Sequence, residues 1–332
     1  MSTQKVTADR PKTAVSGRSS DKGRRLPRLP RLPRGGGGGG GPSGKGFALH
    51  GRFRHVYISP AVLFVAVLLY LPFLWTAYLS FTTYDGLASP EFTGLDNYRR
   101  LLEDDALVTS IRNTLLWVVG TVVLPVGLGL FVAVLSYDLK RGSWFRLPFL
   151  LPYAMSGAGL GVIWGFVLQP DGMANQILTF LGMPGGDTAF LQDGPRNTIA
   201  MIVVWTWQQL GVNMLLFVVG LQSIPRAPIE AARIDGASGW SMFRHVIWPL
   251  MRPITTVVFG LALVAGLKNF DIVWVMTQGG PGRSSETLAV TMYRDVFVAN
   301  EYGYGSSVAV LLTTVTGLAS YIYLRRQVGR ES

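Results

Sequence analysis

Six mainly apolar runs divide the chain, at 57–81, 111–136, 147–168, 198–222, 254–277 and 306–324. A helix needs about 20 such residues to cross a bilayer core of roughly 30 Å. The pattern therefore predicts six membrane-spanning helices in an all-α polytopic membrane protein. Proline and glycine recur inside the runs (Pro72, Pro125, Pro152, Gly157, Gly159, Gly161). Membrane helices tolerate both when packed on neighbours, and small residues let helices approach closely. With 49% hydrophobic and 15% charged residues, the composition suits such a protein better than a soluble domain.

The net charge of +11 suggests nucleic acid until it is located. Residues 1–56 hold 13 Lys and Arg against Asp9 and Asp21, and the other 276 residues are balanced. That stretch has three Arg-Leu-Pro repeats (Arg25 to Pro33) and seven glycines (Gly35 to Gly41). It has too few apolar residues to offset the entropy of ordering, so it reads as a disordered basic tail. A basic tail just before a span favours the cytoplasmic side and its anionic lipid, and no nucleic-acid partner is expected. Gly39 to Lys45 matches most of a phosphate-binding loop. Gly46 stands where that loop needs Ser or Thr, so no ATP site is expected in this chain.

Charge also sets the expected orientation. With the N-terminus inside, the inner segments after the tail hold Lys140, Arg141, Arg146, Arg226, Arg233, Arg244, Arg252, Arg325 and Arg326. The outer segments hold twelve acids, including Glu103, Asp104 and Asp105. By the positive-inside rule both termini are cytoplasmic. The expected organisation is a tail (1–56), a six-span domain (57–324) with an inner loop at 223–253, and a short cytoplasmic tail (325–332).

Several chemistries are excluded. The chain has no cysteine, and His50, His55 and His245 lack metal-ligand spacing. Spans without Cys or His offer no paired nucleophile and base, so no catalytic residues are expected. An ion-coupled transporter would carry inverted repeats and intramembrane carboxylates. Only Asp271 lies within a span, and no clear repeat is visible.

The inner loop is the most informative polar stretch. Pro225 and Pro228 suit the start of a helix, with Glu230 in its first turn, and Gly236 supplies a stop. Ser238 can cap a second short helix over Gly239 to Ile247, which Pro249 ends. Such a bent pair, with the small Ala231 and Ala232 on one arm, suits either a groove on a partner or a linker on the membrane surface. Glu230-Ala231-Ala232, Asp235-Gly236-Ala237, Phe243 and Pro249 resemble the "EAA loop" of permease subunits in binding-protein-dependent ABC importers. Val246 stands for the usual Ile, and Trp248 for the usual Leu. The resemblance implies that this loop inserts into a cleft of a cytoplasmic ATPase subunit.

Two further stretches narrow the family. Phe92-Thr93-Gly94-Leu95-Asp96-Asn97-Tyr98 and Asn269 to Pro281, ending Met276-Thr277-Gln278-Gly279-Gly280-Pro281, are similar to segments of carbohydrate-importer permeases of the maltose and glycerol-phosphate type. The likeness covers about residues 55–325. It implies a second permease subunit forming a heterodimer and a pair of ATPase subunits that bind ATP and Mg. It also implies an extracytoplasmic solute-binding protein and a multi-pass location in a prokaryotic plasma membrane. The cargo it implies is a sugar, or another small polar solute such as glycerol phosphate.

Trp205, Gln208, Gln209, Val212 and Asn213 fall at helical spacings near mid-membrane. Amides there must face protein or a water-filled cavity, and they suit hydroxyl-rich ligands, while an indole face suits a sugar ring. Interhelical hydrogen bonding is the competing reading. The resemblance favours substrate contact and adds Gly266 and Asn269 of the fifth run. Lys268 and Asp271, three residues apart, are expected to pair on one helix face or to line the pathway.

Overall fold

The computed structural model describes residues 51–331 other than 138, 140 and 141. Most of the expected tail, the Gly39–Lys45 stretch, Lys140 and Arg141 lie outside the described residues. The chain divides into two units, Met1–Ser59 and Pro60–Ser332. Of the first, only the start of a helix is described. That helix begins at Gly51, so residues 51–56 are helical rather than part of a disordered tail.

The elements follow in chain order. Helix α1 (Gly51–Val65) runs through a π-helical turn (Ala66–Tyr70) into α2 (Leu71–Leu79). A short hairpin, β1 (Thr82–Thr83) and β2 (Glu91–Phe92), pairs antiparallel with Thr82 opposite Phe92. Then come α3 (Asp96–Glu103), α4 (Asp105–Tyr137), α5 (Gly142–Leu150), α6 (Gly157–Val167), α7 (Met173–Phe180) and α8 (Arg196–Gln222). The inner loop supplies α9 (Arg226–Ile234), α10 (Gly239–Met242) and α11 (Trp248–Leu250). The chain continues with α12 (Arg252–Leu267), α13 (Asp271–Thr277), α14 (Leu288–Phe297) and α15 (Tyr302–Glu331).

Among the described residues, five helices, or up to six if the bent pair α5–α6 is one span, are long and apolar enough to cross a membrane. The third run departs most from expectation. Instead of one helix over 147–168, α5 and α6 meet at 94°. Pro148 and Pro152 each remove a backbone donor, and the chain narrows to a 3₁₀ turn over Pro152–Ala154. Met155 is extended, and Ser156 restarts the helix by accepting from the Gly159 N–H at 3.0 Å. Gln208 of α8 holds the bend, donating from Nε2 to the Met155 carbonyl at 2.7 Å. The fifth run is also broken: Lys268 to Phe270 leave helical geometry between α12 and α13.

The centre of the fold is α8 against α4, with α12 beside them. Val126, Ala133, Met214, Phe217, Met251 and Val258 form one buried cluster. Trp117, Leu160, Met201, Ile272 and Val290 form a second, joining α6, α13 and α14 to the same pair. More than half of the α8 apolar window is buried within the chain, but none of the first span's is. The first span is thus the one most open to lipid or to another subunit.

Two prolines sit where a π-helical turn ends. The Leu71 N–H bonds the Ala66 carbonyl and Pro72 follows; the Trp248 N–H bonds the Phe243 carbonyl and Pro249 follows. A proline ring in an α-helix collides with the carbonyl four residues back. Widening that turn by one residue relieves the collision. Pro249 therefore does not end its helix as expected: the chain passes through it into α11 and α12.

Candidate functional site

The inner loop is built largely as its sequence implies. Helix α9 closes at Asp235, and Gly236 takes φ +84°. The Ala237 N–H then reaches back to the Ala232 carbonyl at 2.8 Å, the bond that closes a glycine-ended helix. No atom lies within 4 Å of a Cβ built on Gly236, so its backbone angle, not its small size, requires glycine. Helix α9 starts at Arg226, which puts Glu230 in its second turn and not its first. Pro225 is the flanking residue and Pro228 lies inside the first turn, where a missing N–H costs nothing. Ser238 precedes α10, but its hydroxyl makes no capping bond.

This loop presents its motif outward. Glu230, Ala231, Asp235 and Gly236 are exposed, and Ala232, Ala237, Phe243 and Pro249 are half-buried. Ile234 is 87% exposed and Trp240 70%. Trp240 stacks on Phe243 at 5.4 Å, and Phe243 touches Trp248 at 6.2 Å, so the larger Trp248 packs into an aromatic row under the loop.

The loop after the fifth run contrasts with it. Glu286 is fully buried, and its Oε2 accepts from Arg283 Nε at 2.8 Å and from Thr291 Oγ1 at 3.0 Å. Arg294 Nε is an ion-pair neighbour of Oε1 at 2.7 Å, at an angle poor for a hydrogen bond. The Gly-Gly-Pro stretch wraps this carboxylate: a Cβ on Gly279 would come within 2.4 Å of Glu286 Cγ. Asn113 donates to the Ser284 and Glu286 carbonyls, and Asn197 to the Gly280 carbonyl. Nearby Asp295 is pushed up to about 7, chiefly by burial and then by Glu286, Glu301 and Asp104, against the pull of Arg283. The Phe92–Tyr98 stretch is structural too. Asn97 is buried and donates to the Ser80 and Thr82 carbonyls at 3.0 and 2.8 Å.

Four of the five α8 candidates come together. Trp205, Gln209, Val212 and Asn213 line a cavity of about 200 Å³ with Thr121, Pro125, Tyr153, Leu261, Ala262 and Ala265. Pro125 has no N–H to give the Thr121 carbonyl, so polar backbone is left at this wall. Asn213 Nδ2 bonds the Gln209 carbonyl at 2.9 Å, while no hydrogen bond holds the Gln209 side chain among the described residues. Trp205 meets Trp117 edge-on at 6.4 Å.

The other candidates sit elsewhere. Gln208 is turned away, spent on the Met155 carbonyl. Gly266 is a packing residue: a Cβ there would lie 2.5 Å from Thr121 Oγ1 and 2.8 Å from Val118 Cα. Asn269 is 4% exposed, and neither side-chain polar atom has a partner. Lys268 and Asp271 do not form the expected pair, because the break between α12 and α13 removes their shared face. Thr121 and Tyr153 line the cavity without having been anticipated. Tyr153 could have been found beside Pro152, where a proline in an apolar run loosens the helix.

Comparison with known proteins identifies the family of the chain. Residues 56–330 match the family described as "Binding-protein-dependent transport system inner membrane component". An osmoprotective compounds uptake permease of Synechocystis is 37% identical, over 77% of this chain and 92% of the relative. A multiple sugar-binding transport system permease of Streptococcus mutans is 34% identical, over 81% and 92%. In fold, the chain is similar to a subunit of a bacterial ABC transporter that imports the acidic polysaccharide alginate. The TM-score there is 0.73 at 17% identity, covering 83% of this chain and 94% of that one.

Proposed function

The chain belongs to the binding-protein-dependent transport system inner membrane components, the permeases of ABC importers, and from that premise we propose that its cargo is a carbohydrate. The observation that carries this reading is the cavity between α4, α8 and α12. There an indole, an uncommitted glutamine amide and the Asn213 amide face one space. That set suits a neutral polyhydroxylated ligand: amides both donate and accept, and an aromatic face meets the apolar side of a sugar ring. The sugar-transport relative supports the class of cargo.

In this reading six spans, counting α5–α6 as one, place both termini and the 223–253 loop in the cytoplasm. The basic inner and acidic outer segments support that orientation. The exposed α9 arm docks in a paired ATPase, which binds ATP and Mg; this chain binds neither. A second permease completes the cavity, and an extracytoplasmic binding protein delivers the sugar. Closure of the ATPases on ATP is passed through the α9–α10 bend, and the cavity switches its side of access.

The test is uptake by the complex co-purified with its ATPase and second permease, reconstituted with the cognate binding protein. ATP-dependent accumulation of the carbohydrate that the cognate binding protein takes up is expected. Failure to recover an ATPase, together with uptake that survives ATP depletion, would refute the proposal.

A further inference from the structure

Helices α12 and α15 leave a groove of about 300 Å³ between them, lined by Val257, Gly260 and Val264 on one side and Ser320, Tyr323 and Leu324 on the other. Its lining is almost wholly apolar. Tyr323 bridges the two helices, its hydroxyl donating to the Thr256 carbonyl at 2.7 Å. Gly260 leaves room for that ring, since a Cβ there would lie 3.2 Å from it. From Thr256 to Val264 the groove rises about 12 Å along α12, much of the ~15 Å of hydrocarbon in one leaflet.

One end of the groove is charged. The segment from Gln278 to Glu301 joins the end of α13 to the start of α15, so α12 and α15 run in opposite directions. Arg252, which precedes the groove on α12, and Arg325 and Arg326, which follow it on α15, therefore come to the same end. Arg252 lies one turn before Thr256 on its stripe and Arg326 one turn after Tyr323 on its own, each about 6 Å of helix rise or less from the bond that joins the helices. All three arginines are exposed, and none takes part in an ion pair among the described residues. Three guanidinium groups so placed repel one another unless an anion sits among them.

We propose that this groove is a specific site for an anionic phospholipid. One acyl chain lies between α12 and α15, and the phosphate meets Arg252 and Arg326, with Arg325 beside them. A phospholipid brings an apolar chain and a phosphate joined at the membrane surface, the depth at which arginines ending apolar helices sit. A helix of another subunit filling the same groove would leave the three charges unmatched unless it carried acids at that level. The site stands apart from the carbohydrate reading. It takes only its leaflet, the inner one, from the orientation proposed above.

The test uses the complete transporter, with its second permease and ATPase, in nanodiscs containing phosphatidylglycerol that carries a diazirine in its acyl chain. Irradiation should place lipid adducts within residues 253–264 and 318–324, and excess unlabelled phosphatidylglycerol should suppress them several-fold while phosphatidylcholine does not. Arg252→Gln combined with Arg326→Gln should lower this labelling about tenfold. Labelling by a diazirine phosphatidylcholine should be the same in parent and variant, which shows that the variant is folded with its groove open. If the double variant fails to assemble, the competition in the parent decides alone. Equal competition by the two lipids, or an undiminished yield in the assembled variant, would reduce the groove to bulk lipid contact and overturn the site. So would p-benzoylphenylalanine placed at Val257 if it cross-links the second permease and no lipid.

Discussion

Residues 223–253 and residues 278–287 each join two apolar helices and each carry recognisable sequence, yet one loop displays its motif and the other hides it. In the first, Glu230, Asp235 and Gly236 are exposed and Ile234 and Trp240 stand out almost free. In the second, Glu286 is fully buried under Gly279, and Asn113, Thr114 and Asn197 tie the loop to α4 and α8. A buried carboxylate satisfied within the chain points to stability. An exposed carboxylate beside uncovered apolar side chains points to a surface completed by another subunit. Similar signals in sequence thus mark different kinds of dependence.

Mutations should separate the two loops. The largest stability effect is expected at Glu286→Ala, which leaves Arg283 and Arg294 beside a void; breaking such a buried pair costs about 3–5 kcal/mol. Thermal unfolding of the purified chain in detergent should show a large fall or a loss of folded protein. Gly279→Ala comes next, because its φ of +82° and the 2.4 Å approach to Glu286 both oppose a side chain. About 1–3 kcal/mol is expected by the same measurement.

The inner loop should behave the other way. Glu230→Ala should change stability by less than about 0.5 kcal/mol, as for an exposed surface position, while abolishing ATP-dependent uptake. Gly236→Val should do the same to uptake, with a stability loss of about 1–2 kcal/mol from its backbone angle alone. An inner-loop variant that transports normally would remove the contrast.

A pH dependence is expected in the buried loop's surroundings. Asp295 titrates near 7 when folded, above its unfolded value, so it favours the folded state most at low pH. That contribution is lost as pH rises from about 4 through 7. Asp295→Asn should therefore gain stability relative to the parent at pH 8 and show less gain at pH 5. Melting curves at the two pH values test this.

Much of the fold was legible because apolar length is an average over many residues, which single side chains hardly disturb. The breaks at Met155 and Lys268 were not, because a hydropathy window reads straight through a bend. The α8 candidates show the same limit at finer scale. Gln208 and Gln209 are neighbours, about 100° apart on a helix, and cannot both face one cavity. Only Gln209 does, and sequence alone had no means of choosing. Glu286 was passed over as one of many outer acids. Its spacing from Arg283 and Arg294 was a usable signal, but the degree of burial depends on helices far away in sequence. The π-helical turn before Pro249 escaped because proline ordinarily ends a helix and nothing local announced the widened turn.

The central claim is that the α9–α10 arm meets the ATPase, and cross-linking tests it most directly. A single cysteine at Ala231, Ala232 or Ala237 in the assembled transporter, labelled with a benzophenone maleimide and irradiated, should give an adduct with the ATPase subunit whose yield changes on adding ATP. If none of the three positions gives that adduct, while an impermeant reagent on the binding-protein side labels all of them, the loop faces away from the ATPase and the account is contradicted.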